Sequence, residues 1–194
     1  KIRAYGVCNF GPGDLAEAQA ARAPIRSNQL PYSLLWRAIE FEILPICVPK
    51  GIAILPYMPL MQGLLADKFR TADDVPPERA RTRHFASHRP MTRHGEPGCE
   101  TETFDAIKRI RRICAGIGQP MSGVALAWLL RQEGVASVLV GARSPQQARD
   151  NAAAAALDLS SDVVRALTAA TDALKSALGP NCDLWQPQAQ SRYR

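Results

Sequence analysis

Apolar positions along this chain recur in two periods, and the periods alternate in a regular order. Ile2 to Val7 reads as a short strand, Asp14 to Arg22 as an alanine-rich helix, and Ile25 to Leu30 as a second strand reached through Pro24. Trp36 to Val48 carries Ile39, Ile43, Leu44 and Cys47 at helical spacing. Pro45 should kink that helix, and Gly51 ends it before the apolar strand Ile52 to Leu55. Further on, Phe104, Ile107, Ile110, Cys114 and Ile117 fall on one helical face, and a helix from Met121 to Arg131 buries Val124, Leu126, Trp128 and Leu129. A β-branched apolar run, 136–140, predicts a strand covered on both faces. Ser160 caps a last helix carrying Val163, Val164, Leu167, Ala170 and Leu174, and Gly179-Pro180 starts an irregular tail, 179–194.

Four strands, each followed by helix, predict an α/β fold with a parallel sheet and right-handed crossovers. Two architectures compete. An open doubly wound sheet places a Gly-rich nucleotide motif after its first strand, whereas Gly6-Val7-Cys8-Asn9 contains no G-x-G-x-x-G. A βα barrel instead gathers ligand residues at the carboxyl ends of many strands, with a phosphate site near the last ones. The pattern fits the barrel.

The densest signal follows strand 136–140. Gly141 permits a turn where a side chain would obstruct, Arg143 supplies a guanidinium, and Ser144, Pro145 and Gln147 form a capping box at a helix start. A positive helix end beside a guanidinium suits a phosphate monoester. Taken alone, the run fits an ordinary strand-to-helix turn with a solvated Arg143 better than it fits a phosphate site.

Composition adds bounds. The chain has 194 residues, 46% hydrophobic and 22% charged, enough for one domain with a sizeable core. No run of 18 apolar residues and no signal-peptide pattern occurs, so a cytoplasmic protein without membrane association is expected. Five cysteines, at 8, 47, 99, 114 and 182, share no metal or redox spacing, and reduced thiols are the default. Much of the net charge of +6 lies between Lys68 and His94, where Arg70, Arg79, Arg81, Arg83, Arg89 and Arg93 outweigh Asp73, Asp74 and Glu78, within the arginine-rich excursion 67–98. Its length predicts a functional lid or local disorder. Without interleaved aromatics or a recognition helix it gives no reason to expect nucleic-acid binding. His84 and His88 stand at i, i+4 but lack a third ligand in register, so no metal site is read.

Read in order, the strand ends give Gly6-Val7-Cys8-Asn9-Phe10, Ser27-Asn28-Gln29, Tyr57-Met58-Pro59-Leu60-Met61-Gln62-Gly63, and Gly141-Ala142-Arg143-Ser144 with Gln147 and Asn151. This series closely resembles the aldo-keto reductase family over residues 2–178. The resemblance implies a partial (β/α)8 TIM barrel, about four consecutive βα units corresponding to the family's last four with extra helices: residues 1–178 as the carboxyl-terminal half, 179–194 as the tail. It implies an NADP(H)-dependent oxidoreductase that reduces aldehydes or ketones by hydride transfer, with this chain supplying the cofactor-binding half. Asn9 and Gln29 match side chains that hydrogen-bond the nicotinamide carboxamide, and Tyr57 matches the aromatic that stacks on the ring. Leu60 and Gln62 match the segment approaching the pyrophosphate, and Gly141, Arg143, Ser144, Gln147 and Asn151 the adenosine and 2′-phosphate end. Cys8 stands where the family has a carboxamide-binding serine, and Met58 replaces the serine after the stacking tyrosine. The family's proton-donating tyrosine and its supporting aspartate, lysine and histidine have no counterpart in this chain. A small carbonyl substrate is therefore expected only with a missing half-barrel supplied, and two open sheet edges favour self-association. The alternative reading is a non-catalytic nicotinamide-nucleotide sensor or regulatory fragment; a vestigial fragment that binds nothing is a third.

Overall fold

A computed structural model describes all residues, Lys1–Arg194. Three short strands form one parallel sheet in the order of the sequence: β1 (Tyr5–Cys8), β2 (Ile25–Pro31) and β3 (Ala53–Tyr57). Parallel neighbours need a crossover. Between β1 and β2 it is helix α1 (Pro12–Ala20), with Pro12 at its first position, where a missing N–H costs nothing. Between β2 and β3 the chain forms a 3-10 turn at Ala38–Glu40, the short helix α2 (Ile43–Cys47) and a second 3-10 turn at Val48–Lys50. The expected single helix over 36–48 is thus broken into three pieces. Gly51, at φ 63°, closes the last in the left-handed conformation that glycine adopts without strain.

After the excursion come α3 (Glu100–Gly116), α4 (Met121–Leu130), α5 (Pro145–Ala153) and α6 (Ser161–Leu178). In α4 every residue except Ser122 and Leu130 is buried, so this helix is the centre of the core. Its Trp128 stacks edge-on against Tyr32 at 5.6 Å and donates its indole N–H to Thr168 of α6 at 3.0 Å. The amphipathic helices α3 and α6 pack on each other through Ile107, Ile110, Leu167 and Leu174, all buried. Ser160 caps α6 as expected, accepting the Val163 amide at 3.3 Å. No single helix is long and apolar enough to cross a membrane.

The expected fourth strand departs from its prediction. Ile54 donates to the Gly134 carbonyl at 2.8 Å and accepts from Ala136 at 3.1 Å, which starts a parallel pairing on the far edge of β3. The next β3 residue facing that edge is Pro56, which has no N–H. Its carbonyl accepts from Leu139 at 2.8 Å, one residue beyond the register that Ile54 sets. A one-residue slip turns every side chain to the opposite face, and the run 136–140 ends half-buried to exposed instead of covered on both faces. The structure therefore contains three ladder strands, not four.

The excursion 67–98 also differs from expectation. It is neither a free lid nor disordered, because its middle is buried: Thr82, Arg83, His84 and Phe85 are all under a tenth exposed. Arg83 is the pin. Its guanidinium donates to the carbonyls of Leu178 (2.9 Å) and Asn181 (3.0 Å), pairs with Glu96 (2.7 Å) and lies over Trp36 at 5.7 Å. One arginine thereby satisfies the end of α6 and fixes the start of the tail. A second network does the same for the β2–β3 connection. Buried Arg37 bonds Glu40, Asp172, Thr171 and the Thr168 carbonyl, while Glu40 also takes Lys175 and the Tyr32 hydroxyl at 2.8 Å each. These contacts lower the Glu40 carboxyl against the burial that would raise it.

Candidate functional site

The carboxyl ends of the three strands meet at one mouth. In the ladder Cys8 lies beside Gln29, and Pro31 beside Tyr57. Asn9 follows β1 directly, with φ 60°, and its amide N–H donates to the Gln29 carbonyl at 2.9 Å. Asn28, fully buried in β2, holds the turn from beneath: its side chain donates to the Phe10 carbonyl at 2.9 Å and accepts the Phe10 amide at 3.4 Å. Asn9, Gln29 and Tyr57 are brought together by this geometry.

Asn9 Oδ1 is the centre of a polar cluster that the sequence did not reveal in full. The Tyr193 hydroxyl, from the tail, donates to it at 2.7 Å, and the Tyr57 hydroxyl stands 3.0 Å from it and 3.1 Å from Tyr193 Oη. Burial raises both phenols, for Tyr193 with the neighbouring Tyr57 adding to the rise, so both stay protonated at neutral pH and act as donors. The side-chain amide Nδ2 of Asn9 makes no bond within the chain, which leaves two donors for a carbonyl acceptor. Partial burial also holds the Cys8 thiol above its ordinary value, so no thiolate is favoured there.

The tail reaches the mouth because Gly11 and Gly13 admit it. A Cβ at Gly11 would lie 2.4 Å from the Arg194 carbonyl oxygen, which accepts the Asp14 amide at 2.9 Å. Arg194 also pairs with Asp14 at 3.0 Å. The sequence assigns Tyr193 no role at the mouth. Its contact with Asn9 spans 184 residues, and no local pattern announces it.

Beyond β3 the backbone is strained. Of six non-glycine residues with positive φ, four lie in this one stretch: Met58, Met61, Gln62 and Asp67. Each costs free energy, and such clusters persist where a functional surface demands the shape. Leu60 is half-buried here, and Gln62 Oε1 is buried without a hydrogen-bond partner. An orphaned acceptor in a strained loop is what a bound polar group would satisfy.

The corner at 141–151 is wholly solvent-facing apart from half-buried Asn151. Ser144 caps α5, accepting the Gln147 amide at 3.2 Å. The expected capping box is modified: Gln147 Oε1 reaches back to the amide of Arg143 at 2.8 Å, one residue before the cap. Asn151 donates to the Gly141 carbonyl at 3.3 Å, which closes the corner. No side chain obstructs at Gly141, contrary to expectation, since an added Cβ would meet nothing within 4 Å. The Arg143 guanidinium forms no ion pair within the chain, unlike Arg37, Arg83 or Arg89. The donors fit a dinucleotide with a phosphate at one end and a carboxamide at the other: a free guanidinium at a capped helix start and free amide donors on Asn9; the orphaned Gln62 Oε1 needs a donor, which a phosphate oxygen does not supply.

His84 is a structural residue. Its Nε2–H donates to the Leu35 carbonyl at 2.8 Å, which leaves Nδ1 to accept from the Thr82 hydroxyl at 3.0 Å, and the ring rests against Trp36.

Comparison with known proteins gives one consistent answer. The aldo/keto reductase family model matches residues 1–172. The NADH-specific methylglyoxal reductase of Escherichia coli is 33% identical over 160 residues, covering 82% of this chain and 46% of that protein. The uncharacterized oxidoreductase YrpG of Bacillus subtilis is 27% identical, covering 86% of this chain and 48% of its own length. Among solved structures, the glycerol dehydrogenase AKR11B4 from Gluconobacter oxydans is similar with a TM-score of 0.69 at 26% identity, over 93% of this chain and 51% of that one. The chain spans about half the length of these relatives.

Proposed function

The chain belongs to the aldo/keto reductase family of oxidoreductases, and on that premise we propose that it is the cofactor-gripping half of an NADP(H)-dependent carbonyl reductase. The observation that carries the reading is the free Arg143 guanidinium beside the Ser144-capped start of α5. A dianionic 2′-phosphate there gains both the guanidinium and the helix end. Asn9 and Gln29 orient the carboxamide, Tyr57 offers its ring face to the nicotinamide, and Gln62, with Leu60 beside it, lies along the pyrophosphate path. When bound, the nicotinamide supplies a hydride to a carbonyl carbon.

This chain's residues then position and shield. The paired amides at Asn9 and Gln29 fix which ring face is presented, and holding that geometry is where most of their rate advantage lies. Both phenols at the mouth already spend their hydroxyl hydrogens on Asn9, so this reading assigns the proton for the carbonyl oxygen to the other half of a complete barrel. The partial-barrel reading accounts for two open sheet edges, with Ile2 (78%) and Tyr5 (41%) exposed on one side and Leu139 (44%) on the other. Pairing of those edges with further strands would complete a barrel, either from the rest of a longer protein or from a second copy. The substrate is a small carbonyl compound, in line with the name of the methylglyoxal reductase relative.

Fluorescence titration with NADPH and NADH tests this reading. Saturable NADPH binding is expected, and Arg143→Ala weakens it by about tenfold while leaving NADH nearly unchanged, as for loss of one charged hydrogen-bonding group. Equal loss for both nucleotides, or no binding of either, would overturn it.

A further inference from the structure

The arginine-rich excursion and the tail border a solvent-open cavity of about 170 Å³ lined by Arg81, Met91 and Arg93 from the one and Trp185, Gln186 and Arg192 from the other. It is smaller than the roughly 300 Å³ at which drug-sized pockets begin, so its ligand is small. Its charge is unbalanced. Arg192 is neutralised by fully buried Asp183 through a two-pronged pair at 2.7 and 2.8 Å, and its plane lies over Trp185 at 5.5 Å. Arg81 and Arg93 have no carboxylate partner, although Arg70, Arg83 and Arg89 of the same segment all do. Arg81 Nε is moreover buried with no acceptor. A buried cationic donor without an acceptor, beside a second free guanidinium, is satisfied by an oxyanion that takes both.

The cavity also adjoins the mouth. Arg192 precedes Tyr193, whose hydroxyl is bonded to Asn9, and the Arg192 charge acts on the Tyr57 phenol. We propose that this cavity holds the oxyanionic end, carboxylate or phosphate, of the carbonyl substrate, with Arg81 and Arg93 as its ligands and Trp185 and Met91 as its apolar wall. The substrate class becomes anionic aldehydes or ketones. This assignment rests on the carbonyl-reductase reading for its role in turnover, but the anion site itself does not depend on the cofactor.

Isothermal titration at fixed ionic strength, with inorganic phosphate and with pyruvate as probes, tests it. An Arg143→Ala background removes the competing anion corner. One saturable site is expected for at least one probe; phosphate alone or pyruvate alone identifies which oxyanion the site prefers. Arg93→Gln, at an exposed position that folding tolerates, weakens that site by about tenfold, and Arg81→Gln does the same. Arg112→Gln, exposed on α3, leaves it unchanged and controls for net charge. Absence of any saturable site in the Arg143→Ala background, or equal binding by Arg93→Gln, Arg81→Gln and their parent, overturns the proposal. Anion binding without NADPH binding supports the cavity and rejects the cofactor reading; NADPH binding without anion binding rejects the cavity alone.

Discussion

Replacing His84 with glutamine should flatten the acid limb of the stability curve. His84 is fully buried, and burial, aided by nearby Arg83 and His94, lowers its pKa from 6.5 to about 4. The folded state therefore holds it neutral while the unfolded chain takes a proton. For a histidine whose folded value is depressed, stability is fully present above about pH 6.5 and is lost as pH falls toward about 4. The difference is worth about 3 kcal/mol in full, of which about 2 kcal/mol disappears between pH 7 and pH 5. Carboxylates lowered in the fold, such as Glu40, Glu100 and Asp183, lose their contribution only at lower pH, so the window above pH 5 belongs to the histidines. His94 is lowered as well and contributes in the same direction. Urea denaturation at pH 7, 6 and 5 measures the slope in wild type and in His84→Gln. The variant should start less stable at pH 7, having lost the ring against Trp36, yet lose about 2 kcal/mol less than wild type on acidification to pH 5. Identical slopes in the two proteins would refute the assignment of a neutral, doubly bonded His84.

Two further expectations follow from named contacts. Arg37→Met leaves Glu40 buried with only Lys175 and Tyr32 for partners, and should destabilise by about 3–5 kcal/mol in denaturant titration; a loss under 1 kcal/mol would mean the network is a surface feature. Tyr193→Phe releases one lone pair of Asn9 Oδ1 for the carboxamide and should tighten NADPH binding by about fivefold, the worth of one neutral hydrogen bond. Weaker binding would instead make Tyr193 part of the nucleotide site.

Local chemistry was legible in the sequence, and long-range closure was not. The three ladder strands lie within a few residues of their predicted spans, because proline, glycine or asparagine stands beside each: Asn9 after β1, Pro24 before β2 and Gly51 before β3. The Ser144 cap was legible because capping depends on four consecutive residues. The fourth strand failed for a reason visible only across strands: Pro56 faces the very edge on which 136–140 should pair. The excursion looked like a polar lid because arginine reads as surface. Arg83 is buried nonetheless, since carbonyls of Leu178 and Asn181 and the carboxylate of Glu96 surround it. At the mouth, Asn9, Gln29 and Tyr57 were legible as strand-end residues, whereas the Tyr193 contact joins residues 184 apart and the Arg81–Arg93 cavity joins segments about 100 residues apart.

The central claim is that residues 1–194 grip NADP(H) with the nicotinamide at Asn9 and Tyr57 and the 2′-phosphate at Arg143. A crystal structure of the protein grown with NADP+ measures this directly. The account predicts the nicotinamide ring against the Tyr57 face, its carboxamide within hydrogen-bond distance of Asn9 and Gln29, and the 2′-phosphate on Arg143 and the amides at the start of α5. A nucleotide bound with its 2′-phosphate away from Arg143, or its nicotinamide away from Tyr57, would contradict it.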